Sequence, residues 1–345
     1  MSSQPEQNAG FVPLYNVRTD LALEAQEIVQ QQIAAEIHGV VSENLQEDGI
    51  AINRLEIETE QAAQQLGKSR GRYLTFEVPG LRRKDAALQD RVSEILAREL
   101  VRFLELPSDL QQAVLVVGLG NWNVTPDSLG PKVIEDLLVT RHAMMMDQKI
   151  LGEGFRAVCA LSPGVLGTTG IETGEIIAAL VQRVKPGLVI VIDALAARRL
   201  ERLHTTIQVT DSGISPGSGV GNNRLGINRQ TIGVPVVAIG VPTVVDASTI
   251  AGEAFDALAE HFKKEPRGFA LSNALKDLDW DQRRLLITEV LEPYAGGRLM
   301  VTPKETDAFV EDMAYIISGG LNSALHPRVH SESSEKYLAA AMWRL

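Results

Sequence analysis

Residues 113–132, AVLVVGLGNWNVTPDSLGPK, combine a short apolar run, a turn rich in glycine and asparagine, and an acidic residue just ahead of a helical pattern. The run from Val114 to Val117 is bounded by glycines, which is typical of a parallel strand buried on both faces. Beyond Pro131 the apolar residues recur at helical spacing, and proline suits the first turn of a helix. Because α/β proteins place their chemistry in loops at the carboxyl ends of parallel strands, Asp127 is the first candidate functional residue.

Residues 185–200, KPGLVIVIDALAARRL, repeat this arrangement. Pro186 and Gly187 end the preceding helix, an apolar strand is predicted over 188–192, and Asp193 follows at its expected end. A short helix is predicted over 194–203. An aspartate after a strand is also a common N-cap of the next helix, so either aspartate taken alone is as consistent with a structural role as with a catalytic one.

The alternation of strands and helices predicts an α/β fold, with a mainly parallel sheet and helices on both faces. Ahead of this core, a helix, two strands and a further helix are predicted; after it, the chain becomes more charged and more helical. We expect residues 299–326 to pack on the sheet, with a capping arrangement from Thr302 to Glu305. The expected segments are an N-terminal α+β segment at 21–110, an α/β catalytic core at 111–250 and a helical C-terminal region at 251–345, packed on the core.

The elements behind this expectation fall in chain order. In the core they are strands at 113–117, 156–161, 188–192, 205–209 and 234–239, with helices from about 131 and at 173–184. The flanking elements are helices at 21–32 and 85–105, strands at 49–59 and 72–78, and helices at 251–263, 278–291, 305–318 and 334–344.

Composition excludes several classes of function. The formal charge of −11 disfavours nucleic-acid binding, which relies on lysine and arginine to neutralise phosphates. No apolar run reaches the roughly 18–20 residues that a membrane span needs, and the first residues lack the pattern of a secretory signal, so we expect a cytoplasmic protein. The single cysteine, Cys159, excludes an intrachain disulfide and is expected to be a small buried hydrophobe rather than a nucleophile.

Zinc-protease and nucleotide-binding motifs are absent. The chain has no HExxH, no GxGxxG and no GxxxxGK[ST]. Of its histidines, His142 and His204 lie nearest the core loops, but each is more typical of a surface or structural group. Two glycine-rich loops, at 162–174 and 212–223, are predicted to offer backbone along which a peptide could lie.

Carboxylates remain as candidates for the chemistry. Two carboxyl groups held close together share a proton, so that one can activate water while the other donates a proton. Asp127 and Asp193 fit this role if their strands are adjacent. With a third donor they would also make an acceptable Mg²⁺ or Ni²⁺ site, and spacing alone does not separate the two interpretations.

Several long blocks of the sequence resemble the germination protease family of spore-forming bacteria. They are GLGNWNVTPDSLGPKV, SPGVLGTTGIETGEII, VIDALAARRLERLHTTIQVTDSGISPGSGVGN, PVVAIGVPTVVDA and VTPKETDAFVEDMA, in the family's order from about residue 15 to 330. The resemblance implies an aspartic-type endopeptidase, unrelated to pepsin, that degrades small acid-soluble spore proteins without a cofactor or bound metal. It also implies a phosphorylase/hydrolase-like fold similar to that of hydrogenase-maturation proteases, and it assigns catalysis to Asp127 and Asp193.

The resemblance further implies a zymogen that trims its own N-terminus. The region YNVRTDLALEA is similar to the family's processing region, which places the cut between Asp20 and Leu21 and makes residues 1–20 a propeptide. A homotetramer in the interior of the developing and germinating spore is implied as well, with spore proteins as substrates and no direct contact with nucleic acid or membrane. The alternatives are a metal-dependent maturation-type protease and a non-catalytic factor that senses a metal or a peptide in the same acidic pocket.

Overall fold

A computed structural model describes residues 19–33, 37–146, 151–215, 226–263, 287, 289–290 and 299–331. Nine strands form one sheet in the order β1-β2-β3-β7-β8-β6-β4-β5, and β9 pairs with β8. The strands are β1 (Val40–Glu47), β2 (Ile50–Ile57), β3 (Gly71–Glu77), β4 (Val114–Gly118), β5 (Val158–Leu161), β6 (Leu188–Ala197), β7 (Thr206–Thr210), β8 (Val236–Asp246) and β9 (Met300–Val301).

Helices precede, follow and separate these strands. They are α1 (Ala22–Ile33), α2 (Glu60–Leu66), α3 (Ala86–Phe103), α4 (Leu129–Asp136), α5 (Arg141–Met146), α6 (Leu166–Thr169), α7 (Thr173–Val184), α8 (Arg229–Ile232), α9 (Ala247–Lys263), α10 (Thr306–Leu325) and α11 (Pro327–Ser331), with 3₁₀ turns at Pro79–Arg83, Thr125–Asp127 and Leu200–Arg202. Within the described ranges, none of these helices is long and apolar enough to cross a bilayer.

The α/β class and the helices on both faces are confirmed, and the sheet is mixed. Its parallel half consists of β5, β4, β6 and β8, which pair in parallel register. The other half, β1, β2, β3 and β7, pairs antiparallel, and β7 joins β8 antiparallel. Residues 40–77 therefore extend the same sheet as the core. The division of the chain at residues 20, 110 and 250 stays a prediction.

Strict alternation along the central strands divides the apolar core into two sides. Ile190 and Ile192 of β6 belong to the main core cluster, which α3, α4 and α10 cover. Val189 and Val191 alternate with these isoleucines along β6 and belong to a cluster on the opposite face, which includes residues of α7. Successive side chains of a strand point to opposite faces, so Asp193 shares the second face with Val189 and Val191.

The structure corrects two of the predictions around β6. Asp193 does not end its strand: β6 continues to Ala197 because residues 194–197 pair with β8 from Val241 to Val245. The helix predicted over 194–203 was therefore wrong, and only the 3₁₀ turn Leu200–Arg202 follows.

Near the C-terminus, residues of α10, among them Val310, Met313 and Ile317, pack in the main core, which confirms that this segment lies on the sheet. The predicted cap was wrong: α10 has Glu305 as its N-cap without a side-chain cap bond, while the Thr302 hydroxyl donates to the Thr243 carbonyl, 2.8 Å away. The helix predicted at 334–344 lies outside the described residues, as does most of the one at 278–291.

The junction between β4 and α4 leaves no room for a side chain at Gly118. A Cβ atom there would lie 2.2 Å from the carbonyl oxygen of Gly130, a backbone atom that cannot rotate away. We expect Gly118→Ala to lower the free energy of unfolding by about 1–3 kcal/mol, because overpacking forces the strand and helix apart. Urea denaturation followed by far-UV circular dichroism measures the change.

Gly167→Ala is the matched control, since no atom lies within 4 Å of a Cβ at residue 167 and its unfolding free energy should change by less than about 0.5 kcal/mol. Equal urea-denaturation midpoints for the Gly118→Ala variant and the wild type would contradict the close approach of β4 and α4.

Candidate functional site

One cavity, of about 690 Å³, lies on the sheet face opposite the main core. Its lining brings together Asp127, Asp193 and Asp20, which are far apart in the sequence. Leu21 is outside this lining; it is fully buried, in an apolar cluster with Leu195. Three of the four residues that the sequence singled out therefore meet in one cavity, and the fourth anchors the chain beside it.

Asp193 projects from the middle of β6 and is 7% exposed. Its Oδ1 atom accepts a hydrogen bond from the backbone N–H of Ala194, at 2.9 Å. In the sheet register, Asp193 of β6 pairs with Gly240 of β8, and Gly240 pairs with Gln208 of β7. Directly paired residues project to the same face, so Asp193 and Gln208 flank one glycine in a row across three strands.

Asp127 ends a compact loop that follows β4. The loop is closed by two backbone hydrogen bonds, from Asn121 N–H to the Asp127 carbonyl (2.9 Å) and from Asp127 N–H to the Val124 carbonyl (2.7 Å). Gly120 has a φ of +111°, and a Cβ atom there would lie 1.9 Å from the Asp127 carbonyl oxygen and 3.1 Å from its Oδ1. Only glycine therefore allows the chain to pass so close to Asp127.

The segment around the predicted cut is held in the cavity by main-chain and side-chain hydrogen bonds. The N–H of Asp20 donates to the Ala196 carbonyl at 3.0 Å, and the Ala196 N–H donates to Asp20 Oδ2 at 2.8 Å. Lys68 Nζ donates to the Thr19 carbonyl at 2.7 Å. These contacts fix the residues on the N-terminal side of the Asp20–Leu21 bond.

Gln208, which the sequence did not reveal, contacts both sides of that bond. Its Nε2 atom donates to the Asp20 carbonyl at 3.1 Å, and its Oε1 accepts from the Ala22 N–H at 2.7 Å. Lys68 was also missed; burial lowers its pKa, while the charges of Asp20 and Glu24 act in the opposite direction. Neither residue belongs to a recognisable motif, because a lone glutamine in the strand TTIQVT and a lysine in a GKSRG turn are ordinary surface patterns.

A buried ionic cluster anchors α1 next to the cavity. Arg202, only 7% exposed in its side chain, lies 2.6 Å from Glu27, 2.7 Å from Glu77 and 3.4 Å from Glu24. Burial would lower the pKa of Arg202, but the hydrogen bond with Glu27 and the charges of Glu77 and Glu24 raise it overall. Glu24 also accepts hydrogen bonds from the N–H groups of residues 198 and 199, at 2.8 and 3.0 Å. The start of α1 is thus fixed against the end of β6.

The other sequence candidates lie outside the cavity lining. Cys159 is half-buried, and burial raises the pKa of its thiol, which makes it a poor nucleophile. His142 is exposed. His204 is buried against Phe309, with ring centroids 5.3 Å apart, and burial followed by the charge of Arg82 lowers its pKa to about 4. Within the described ranges, no group of three or more His, Cys, Asp or Glu side chains is arranged to hold a metal ion.

The two glycine-rich loops contribute to the cavity wall in part. Gly164, Val165 and Thr173 come from the first loop and the turn into α7, and residues 212–215 come from the second. The rest of the second loop, residues 216–223, lies outside the described residues. The two loops thus contribute mainly residues with small side chains to the cavity wall.

Comparison with known proteins assigns the family. The sequence profile described as germination protease matches residues 18–276 and 270–338. A germination protease from Clostridium perfringens is 47% identical over 327 residues, covering 94% of this chain and 100% of that protein. One from Bacillus cereus is 45% identical over 358 residues, covering 94% of this chain and 97% of that protein.

A solved structure of a NiFe hydrogenase maturation protease, HycI from Thermococcus kodakarensis, aligns with 38% of this chain and 74% of its own, at 17% identity and a TM-score of 0.24. The family assignment rests instead on the profile and the relatives, which span nearly the whole sequence. The chain belongs to the germination protease family, and its class of activity is that of a spore germination endopeptidase.

Proposed function

We propose that this chain is a self-processing, aspartic-type endopeptidase that starts the degradation of small acid-soluble, DNA-protecting spore proteins during germination. The observation that carries the proposal is the cavity lined by Asp127, Asp193 and Asp20, the residue before the expected cut. The residue before the expected cut thus lines the same cavity as both aspartates of the proposed dyad. We further propose that the chain assembles as a homotetramer in the interior of the spore.

In the proposed reaction, one carboxylate takes a proton from water as the water oxygen bonds to the carbonyl carbon, and the carbonyl π electrons move to its oxygen. The other carboxyl group supplies the proton that the leaving nitrogen needs when the C–N bond breaks. The products are a carboxyl group on the residue before the cut and an amine on the residue after it. Two carboxyl groups that share one proton provide both functions.

The peptide in the cavity supports self-processing as the first reaction. Thr19 and Asp20 are the described part of the expected propeptide, and Lys68, Ala196 and Gln208 bind their backbone. A chain held this way prevents a second peptide from entering the same space. We therefore propose that the propeptide is both the first substrate and the inhibitor of the zymogen.

Removing either carboxyl group tests the dyad. We expect Asp127→Asn and Asp193→Asn each to abolish release of residues 1–20 and cleavage of spore proteins, because an amide cannot accept the proton from water. Mass spectrometry of the purified chain, alone and after incubation with a spore-protein extract, measures both reactions. Asp307→Asn, at an exposed position in the first turn of α10, is the control and should remain active. Release of residues 1–20 by either dyad variant at the wild-type rate would refute the assignment.

Chelation separates the dyad from a metal-dependent mechanism. We expect self-processing and cleavage of spore proteins to continue in EDTA, because two carboxyl groups sharing a proton need no cation. The rates with and without chelator, measured on the same preparation, decide the matter. Loss of activity in EDTA that an added divalent ion restores would favour the metal-dependent protease, and no fragments under any condition would favour the non-catalytic factor.

A chain that begins at Leu21 tests inhibition by the propeptide. We expect it to cleave spore proteins from the moment of purification, because Thr19 and Asp20 no longer occupy the hydrogen-bonding groups of Lys68, Ala196 and Gln208. The full chain with Asp127→Asn, which retains its propeptide, should show no cleavage and serves as the comparison. If the shortened chain is folded but inactive, the propeptide is needed for more than blocking the cavity.

A further inference from the structure

We propose that Gln208 is a catalytic residue of this protease: its side-chain amide binds the carbonyl oxygen of the bond that is cut and the N–H group two residues beyond. The inference deepens the proposed function and rests on it, because it takes Asp20–Leu21 as the bond that is cleaved. Its structural basis is the pair of hydrogen bonds from Gln208 to Asp20 and Ala22.

The two hydrogen bonds engage both ends of the carboxamide, one on each side of the bond that is cut. Nε2 donates to the Asp20 carbonyl oxygen at 3.1 Å, and Oε1 accepts from the Ala22 N–H at 2.7 Å. In a β-sheet, the backbone of a neighbouring strand offers a peptide one donor and one acceptor in this way. Here the side chain of Gln208 alone offers both. The carbonyl of Asp20 and the N–H of Ala22 belong to any peptide backbone, so this contact positions a substrate whatever its side chains are.

Because the Gln208 side chain is buried, its carboxamide needs hydrogen-bond partners from a bound peptide. The residue is 6% exposed, in a strand whose five residues are all buried. A buried carboxamide without hydrogen-bond partners is unfavourable, by about 1–3 kcal/mol for each unsatisfied group. Its two hydrogen bonds to residues 20 and 22 come from a segment more than 180 positions away in sequence. A substrate that replaced this segment would restore them.

The sheet register aligns Gln208 with the proposed dyad. Gln208 and Asp193 each pair with Gly240, from opposite sides, so their Cα atoms lie about 10 Å apart on one face of the sheet. Between them the side chain of Leu195 covers Gly240, because a Cβ at residue 240 would lie 2.4 Å from Leu195 Cδ1. A peptide above this apolar floor has a carboxylate on one side and an amide donor on the other.

The donor faces the atom where negative charge develops. When water adds to the carbonyl carbon, the π electrons move to the carbonyl oxygen, and the Nε2–H group already points at that oxygen. A fixed donor in a site shielded from water stabilises this charge more than it stabilises the neutral carbonyl. Gln208 thus acts in the same step as the dyad without gaining or losing a proton.

Two substitutions distinguish this role. Gln208→Glu retains an acceptor for the Ala22 N–H but replaces the donor, and Gln208→Met removes both while keeping a side chain of similar length. We expect each to slow release of residues 1–20 by about 100–1,000-fold, the range found on removing one such donor. Gln61→Glu, at an exposed position of α2, makes the same chemical change away from the cavity and should process at the wild-type rate.

Two further readouts exclude a merely structural effect. On a synthetic peptide of residues 11–30, a variant chain beginning at Leu21 should lose its activity mainly in kcat, with KM within about threefold. The deficit of Gln208→Glu relative to the wild type should also shrink as the pH falls toward 5, because a protonated glutamate regains an O–H donor. Thermal melting of each variant identifies misfolding. If the methionine variant unfolds at a lower temperature than the wild type, the test rests on the glutamate variant.

The outcomes separate the two proposals. If the wild type processes itself and the folded Gln208→Glu variant does so within fivefold of its rate at neutral pH, the role of Gln208 is refuted and the dyad stands. A deficit that is entirely in KM, or that does not change with pH, also overturns it. If the wild type never releases residues 1–20, the proposed cut fails and the inference falls with it.

Discussion

The arrangement of this protein depends on the alternation of side chains along its central strands. In β6, Ile190 and Ile192 pack beneath the sheet in the main core, and Asp193 projects from the other face. A shift of one residue in the register would exchange these faces and bury the carboxylate in the main core, on the face of β6 that α4 covers. The apolar contacts that stabilise one face therefore also fix which polar groups line the cavity on the other. Stability of the fold and position of the site follow from the same pairing.

Close backbone packing brings the second aspartate to this face. The N–H group of Leu119 donates to the carbonyl of Ile192, at 2.8 Å, so the loop that ends at Asp127 starts beside the residue that precedes Asp193. Gly118 and Gly120 allow this course, since a Cβ at either position would collide with backbone atoms. Glycine is therefore required at both positions of GLGN on steric grounds, independently of any contact with substrate. They position the loop, and the loop positions the carboxylate.

The sequence predicted the aspartates but not all of their surroundings. An apolar run that ends in glycine or aspartate is a local signal, and it identified β4, β6 and the helix α4 that follows β4. The residues ALAA after Asp193 favour a helix by propensity, but pairing with β8 overrides that preference and extends the strand. Strand β1 is exposed along most of its length and has no apolar alternation to reveal it. Gln208 acquires its role only through partners about 190 positions away, which no local pattern encodes.

The contacts around the expected cut are unequal on its two sides, and this asymmetry decides what each product does. On the proposed reaction, the N-terminal product is held near the bond only by hydrogen bonds, one each to Lys68, Gln208 and Glu24 and two to Ala196. Each is worth about 0.5–3 kcal/mol, with the larger values for bonds that involve a charged group. The C-terminal side is held far more firmly. Leu21 is fully buried in an apolar cluster, and the buried ionic cluster of Arg202 anchors the helix that follows. Once the covalent bond is broken, only these hydrogen bonds retain the propeptide, whereas the anchored helix α1 keeps the new N-terminus beside the cavity. Departure of Thr19 and Asp20 then vacates the side of the cavity that contains Lys68, so a substrate would enter by taking over the hydrogen bonds that the propeptide leaves.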